Sequence, residues 1–251
     1  MFGVISWQLA VVFCVYHDSK TDCNIQDQHV TTDKLPDTMD NVILDLSGIC
    51  DFNTCMLLNI SMVILSYLFG SLSAAVIVCK IMHLDDPRTH GSGNPGTTNV
   101  LRLHGKQAAA LTLAGDVIKG LLPVLFVKTL GAPQLVIALS ALAAFSGHIF
   151  PVFFNFRGGK GVATLIGVLL GMYWMAGVAF ITSWLIFAFL FRYSSLAALI
   201  SAALLPIFAI FLRGPVYYTG SILVMILILF WRHRSNIRNL IAGTEDKIGA
   251  K

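Results

Sequence analysis

Residues 134–152 read QLVIALSALAAFSGHIFPV and contain no Asp, Glu, Lys or Arg. A helix needs about 20 predominantly apolar residues to cross the hydrocarbon of a bilayer, and this run has that length. Outward from it the pattern repeats in both directions. Apolar runs at 57–79, 108–127, 161–176, 177–191, 195–212 and 216–231 are separated by short polar or Gly-rich stretches. The runs at 161–176 and 177–191 are short, and one long helix or a re-entrant pair would also fit them. The reading is an all-α, polytopic membrane bundle of about seven transmembrane helices. Of 251 residues, 56% are hydrophobic and only 12% charged, and mean hydropathy is +0.77. Soluble domains average about 25% charged residues, so this composition cannot cover a water-facing surface.

Charge divides the chain near Met56. Residues 1–55 carry Lys20 and Lys34 against Asp18, Asp22, Asp27, Asp33, Asp37, Asp40, Asp45 and Asp51. Cys14, Cys23, Cys50 and Cys55 also fall there, and could pair if the stretch is exported. Phe2 to Tyr16 is apolar but shorter than a span, and it lacks the basic leader and small-residue cleavage site of a signal peptide. We therefore expect 1–55 to be a polar, acidic extension outside the working core, with Met56 a candidate start. Residues 56–251 form the membrane-embedded domain. With seven spans, one side of the membrane receives Lys80, Arg88, Arg102, Lys106, Arg157, Lys160, Arg192, Arg232, Arg234, Arg238, Lys247 and Lys251, and the other only Lys128 and Arg213. The positive-inside rule then places 80–107, 153–161 and the C-terminus in the cytoplasm and the N-terminus outside. A net charge of +4 gives no argument for nucleic acid.

The unusual polar residues gather on that cytoplasmic side in three clusters. The first is Gly91-Ser92-Gly93-Asn94-Pro95-Gly96-Thr97-Thr98-Asn99, followed by Arg102. So many glycines and hydrogen-bonding side chains exclude an ordinary helix and suit a loop whose N–H groups cradle an anion. A capped turn between helices is the plainer reading. The second is Arg157-Gly158-Gly159-Lys160-Gly161, with Gly147-His148 upstream. Free N–H groups, a lysine and the positive end of a helix make a phosphate cradle. It is not a Walker A loop, because Phe154 and Gly161 stand where that pattern needs Gly and Ser or Thr. His148 alone reads as an interfacial histidine. The third is 232–240, RHRSNIRNL, then Gly243-Thr244-Glu245-Asp246-Lys247. If the last helix continues, His233, Asn236, Ile237 and Leu240 share one face, and Arg234 and Arg238 another.

Asp116 and Lys119 sit three apart inside a span, where charges are paired or functional; a structural pair is the favoured reading. Ser194 and Ser195 begin another span, and either could cap that helix or bond a substrate. No Cys/His cluster has zinc spacing and no carboxylate cluster suits two metals. His17 and Asp22 give a His-x4-Asp spacing, which we read as chance in the polar extension.

Taken in this order, the three clusters resemble the bacterial acyl-phosphate:glycerol-3-phosphate acyltransferase family. The resemblance covers 56–251, including Asp86-Pro87-Arg88-Thr89 and Asp116-x-x-Lys119-Gly120, and departs from it only in Thr97, where alanine is usual. Residues 1–55 have no counterpart. The resemblance implies transfer of a fatty acyl group from acyl phosphate to the 1-hydroxyl of sn-glycerol 3-phosphate, giving lysophosphatidate and inorganic phosphate, in a bacterial inner membrane. It implies no cofactor and no metal. The implied partners are glycerol 3-phosphate, acyl phosphate, membrane lipids and the soluble enzyme that makes acyl phosphate. Ser92, Arg102, His233 and Asn236 then correspond to catalytic positions. Gly158, Gly159, Lys160 and Gly161 correspond to the glycerol-phosphate site, and Glu245 to a structural position. Asn94, Thr98, Asn99 and Ser195 are further candidate substrate contacts. The hydroxyl proton has two candidate acceptors, His233 and a substrate phosphate oxygen. On this reading a methyl added at Gly159 or Gly161 intrudes on the anion's space and raises the glycerol 3-phosphate KM. The alternative class is a transporter or flippase of a phosphorylated solute. It fits the anion cradles but not the crowding of polar groups at one rim, nor the lack of a two-half repeat.

Overall fold

A computed structural model describes residues 52–249, which fold into nine α-helices and one 3-10 turn with no strand among the described residues. The helices are α1 (Phe52–Gly70), α2 (Ala74–Ile81), α3 (Thr97–Thr129), α4 (Gln134–Ile149), α5 (Val162–Met172), α6 (Trp174–Phe191), α7 (Ser194–Phe211), α8 (Val216–Arg232) and α9 (Arg234–Ile241). The 3-10 turn Val152–Phe154 follows α4. The extension, including Phe2–Tyr16, His17, Asp22, Cys14, Cys23 and Cys50, lies outside the described residues, although α1 already begins at Phe52, inside the stretch set apart as the extension.

Helices α3, α6 and α7, and α4 with its following turn, are each long and apolar enough to cross a membrane. The bent pairs α1–α2 and α8–α9 pass the same test jointly. Many large side chains on the bundle's outside are apolar and exposed, among them Phe189, Leu227 and Ile210, as a lipid-facing surface requires. This is an all-α, multi-pass membrane protein.

Three expected spans differ in detail. The run 57–79 is not one straight helix, since it bends by 46° between α1 and α2. Gly70 there packs so closely on the Ala144 backbone that a side chain has no room. The break frees the Leu72 carbonyl, and Lys119 Nζ donates to it at 2.6 Å. Buried backbone groups released by a bend must find such a partner. The run 108–127 extends back to Thr97, with a kink at Gly105 (φ 83°), a backbone conformation that glycine adopts without strain. The boundary expected between 176 and 177 falls at Tyr173, whose φ −144° and ψ 81° end α5 after 11 residues.

Helices α5 and α6 are an out-and-back pair, not one long helix. Lys160, just before α5, lies within the field of Glu245, and Arg192 and Tyr193, just after α6, contact Ile248 and Lys247. Helix α5 runs alongside α3, with Gly167 against Val117 and Leu121, and Gly171 against Val124. The α5 carbonyls of Gly171 and Met172 take long hydrogen bonds from Lys128 Nζ, at 3.4 and 3.3 Å. The core runs through α3 to α8, filled by Phe145, Ile149, Leu165, Leu169, Phe180, Leu205, Ile222 and Leu229. Small residues at the crossings let backbones approach, the usual way membrane helices pack.

Candidate active site

Every cluster read from the sequence sits at one end of this bundle, where α4 and α8 arrive and α3, α5 and α7 depart. The first loop is shaped by Asn99, which is buried on the first turn of α3. Its Nδ2 donates to the carbonyls of Pro87 (2.8 Å) and His90 (3.2 Å), and its Oδ1 accepts the Ser92 N–H (3.0 Å). Expected as a substrate contact, Asn99 instead has its amide committed to folding the loop. Ser92 and Thr98 are exposed and Asn94 half-buried. Among the described residues none of these three side chains hydrogen-bonds to the other clusters. Arg88 is chelated by Asp86, with Nη2 to Oδ2 at 2.6 Å, and stands over the Phe154 ring at 5.7 Å. That contact docks the loop on the turn after α4.

The glycine loop is held from both sides. Arg232, in the last turn of α8, donates from Nη2 to the Gly158 carbonyl at 2.7 Å and from Nε to the Gly159 carbonyl at 3.1 Å. The Gly159 N–H donates to the His148 carbonyl at 3.2 Å. The first intrahelical bond of α5 runs from Leu165 N–H to Gly161 C=O at 2.7 Å. The N–H groups of Val162, Ala163 and Thr164 are therefore outside the helical ladder, as at every helix start. Lys160 stands beside them, and free N–H groups next to a lysine are the features that suit an anion. The Gly→Ala expectation needs correction, however. A methyl at Gly158 would strike the carbonyls of His148 and Ile149, one at Gly159 the His148 ring, and one at Gly161 the Phe145 ring. At all three positions the absent side chain makes room for neighbouring protein groups. Gly161 also has φ 90°, which other residues rarely adopt.

The third cluster closes the site. The chain bends by 57° between α8 and α9, with His233 at the bend, 2% exposed. His233 Nδ1 pairs with the Leu229 carbonyl at 2.8 Å, which leaves Nε2 as the free nitrogen. Burial pushes its pKa down to about 4. Glu245 Oε1 accepts from Ser195 Oγ and from Asn236 Nδ2, each at 2.6 Å. The carboxylate fixes which end of the Asn236 amide faces it, so Oδ1 points elsewhere, buried and without a partner among the described residues. Ile237 and Leu240 pack on the core while Arg234 and Arg238 are exposed, as the helical face read from the sequence requires. Arg102 Nη1 meets Asp246 Oδ2 at 3.0 Å, a half-exposed pair that ties α3 to the chain end.

Lys160 therefore stands in the field of Arg102, Arg232 and Glu245, and burial lowers its pKa. Arg102, Lys160, Arg232, His233, Asn236, Ser195 and Glu245 form one neighbourhood. Sequence reasoning placed Arg232 and Asp246 in the third cluster but gave neither a role. It also left His148 as interfacial, whereas it is buried beneath the glycine loop with its Nδ1 3.5 Å from Asp116 Oδ1. Asp116 and Lys119 pair at 2.8 Å, the structural pair expected. Among the described residues no group of His, Cys, Asp or Glu is arranged to hold a metal.

Comparison with known proteins bears on this arrangement. A family model described as "Glycerol-3-phosphate acyltransferase" matches residues 60–243. A "Glycerol-3-phosphate acyltransferase" of Thioalkalivibrio sulfidiphilus is 50% identical over 196 residues, which cover 78% of this chain and 97% of that protein. One of Paraburkholderia phytofirmans is 53% identical over 197 residues, covering 77% and 92%. Among solved structures, the glycerol 3-phosphate form of PlsY (YgiH), an integral membrane glycerol 3-phosphate acyltransferase, is similar with TM-score 0.72 and 35% identity, covering 76% of this chain and 96% of that one. Its lysophosphatidic acid form gives 0.71 and 35%, covering 76% and 95%. On the family match and these identities, the chain belongs to the glycerol-3-phosphate acyltransferase family.

Proposed function

We propose that this protein transfers a fatty acyl group from acyl phosphate to the 1-hydroxyl of sn-glycerol 3-phosphate, releasing lysophosphatidate and inorganic phosphate. The observation that carries the reading is the cationic neighbourhood of Arg102, Lys160 and Arg232 around the α5 N-terminus, at the end of a lipid-embedded bundle. Both substrates are phosphate anions, one soluble and one lipid-tailed, and such a rim suits both. The solved relatives, whose names record glycerol 3-phosphate and lysophosphatidic acid forms, support the acceptor and the product. Lys160 and the 158–164 amides take the glycerol phosphate. Arg102 and Ser92 serve the donor phosphate, with Asn94 and Thr98 lining its loop. Asn236 and Ser195, set by Glu245, orient the reacting groups, and the unpartnered Asn236 Oδ1 is placed to accept from a substrate hydroxyl.

In the transfer, the 1-hydroxyl oxygen bonds to the acyl carbon, the bond from that carbon to the phosphate oxygen breaks, and phosphate leaves. Phosphate is a good leaving group, so no strong general acid is required. His233, neutral at pH 7, offers Nε2 to the hydroxyl proton. A phosphate with a second pKa of about 6 is the stronger base, so a phosphate oxygen keeps the proton. The reaction takes place on the cytoplasmic face of a bacterial inner membrane, a placement supported by the Lys and Arg asymmetry of the loops. The test is an assay in vesicles with radiolabelled glycerol 3-phosphate. Lysophosphatidate should form with a long-chain acyl phosphate and not with acyl-CoA. A comparable rate from acyl-CoA would overturn the donor assignment.

A further inference from the structure

We infer that the buried pair Asp116–His148 is the positioning device of the glycine loop: Asp116, anchored by Lys119, fixes the His148 ring, and His148 fixes the backbone at Gly158 and Gly159. The inference rests on the reading of that loop as the glycerol 3-phosphate site and names residues that act on it from below. His148 supports the loop twice. Its carbonyl accepts the Gly159 N–H at 3.2 Å. Its imidazole also lies so close under Gly159 that a Cβ there would come within 2.7 Å of Cε1. Arg232 holds the same two residues by their carbonyls from the other side. Between them these contacts leave the loop one position, with its remaining amides free for an anion.

The ring is itself held by a polar chain running across three elements. His148 Nδ1 is 3.5 Å from Asp116 Oδ1, Asp116 Oδ1 is 2.8 Å from Lys119 Nζ, and Lys119 Nζ donates at 2.6 Å to the Leu72 carbonyl in the α1–α2 break. All three side chains are buried, none more than 6% exposed. Apolar residues of similar volume would fill this space at less desolvation cost. What they would not supply is direction. A carboxylate beside Nδ1 chooses one rotation of the ring, and an anchored carboxylate chooses its height along α3. Displacing the ring by about 1 Å moves the amides that meet the phosphate, a shift large enough to degrade a positioned site. Neither Asp116 nor Lys119 needs to touch substrate for this.

The test separates direction from volume. His148→Leu fills the cavity and removes the group facing Asp116, whereas His148→Asn keeps an N–H donor where Nδ1 stands. Steady-state kinetics would vary glycerol 3-phosphate and a long-chain acyl phosphate in turn, on detergent-purified protein of checked monodispersity. The expected result for His148→Leu is a glycerol 3-phosphate KM raised at least tenfold, with the acyl-phosphate KM changed less than twofold and His148→Asn within threefold of wild type. The double variant Asp116→Leu with Lys119→Met should give the same split without touching His148, and it decides the matter if His148→Leu does not fold. If neither folds, His148→Asn alone decides: a KM within threefold supports the inference and a tenfold rise overturns it. Equal rises in both KM values, or His148→Asn behaving like His148→Leu, overturn it too. Wild-type protein that makes no lysophosphatidate would instead fault the assigned reaction.

Discussion

His233 sits where α8 meets α9, with Nδ1 committed to the Leu229 carbonyl and the ring almost wholly enclosed. Burial pushes its pKa down to about 4 in the folded protein, against an ordinary histidine value of about 6.5. Between those values the unfolded chain binds a proton that the folded protein does not, so stability rises with pH across that window and falls as acid is added. At pH 5 the loss from this residue is about 2 kcal/mol, and it levels off at about 3 kcal/mol below pH 4. Thermal unfolding of purified protein should therefore drop between pH 7 and pH 5, and His233→Asn should flatten part of that drop while lowering kcat. Identical pH slopes for both proteins would exclude this account. Glu245 works at the same scale. One oxygen receives both Ser195 and Asn236, so Glu245→Ala strands two donors, at about 1–3 kcal/mol each if they stay buried. The expected outcome is a fall in kcat of at least tenfold together with a lower Tm. Glu245→Gln, which keeps a carbonyl acceptor, should lose less on both measures.

Helices are where the sequence was most legible. Apolar runs located α3, α4, α7 and α8 to within a few residues, apart from the early start of α3, because a bilayer imposes length and composition on whatever crosses it. The bend after Gly70 was not legible, since an average over a window hides a break beside a close packing partner, and the break read at 176–177 falls a few residues early, at Tyr173. The site shows the same divide. Residue types at the three clusters pointed to anion chemistry, but the direction each side chain takes did not follow. Asn99 turns inward to tie its own loop. Arg232 reaches a loop 73 residues upstream, a distance at which spacing carries no information. That arginine makes a prediction at the level of elements, because it fastens the end of α8 to the start of α5. Arg232→Lys keeps the charge but loses the planar fork that meets two carbonyls together. We expect a glycerol 3-phosphate KM raised about tenfold, in line with a lost charge-assisted hydrogen bond of about 1.5 kcal/mol. An unchanged KM in folded protein would show that charge alone suffices there.

The whole molecule is organised by the ends of its helices. Gly70 packs against Ala144 near the close of α4, so α1 runs toward the site end. From there α3, α5 and α7 leave it, while α4, α6 and α8 return. This alternation puts Arg192, Arg232 and Lys247 at the site end and Lys128 and Arg213 at the other, and the proposed seven passes rest on it. If residues 1–55 stand apart from the working core, as proposed from their charge, protein started at Met56 should keep near-normal turnover per correctly inserted molecule. Sidedness has the sharper test. Thr129 is exposed at the far end and Asn239 at the site end. Single cysteines at these positions, in protein otherwise free of cysteine, can be challenged in intact cells with a membrane-impermeant maleimide. An odd number of passes and a cytoplasmic site require Thr129→Cys to react from outside and Asn239→Cys to react only after the inner membrane is opened. If α5 and α6 together made a single crossing, the two positions would label from the same side. A reversed pattern would keep the seven passes and move the site to the outer face, away from a cytosolic supply of phosphorylated glycerol, and the proposed orientation would fall.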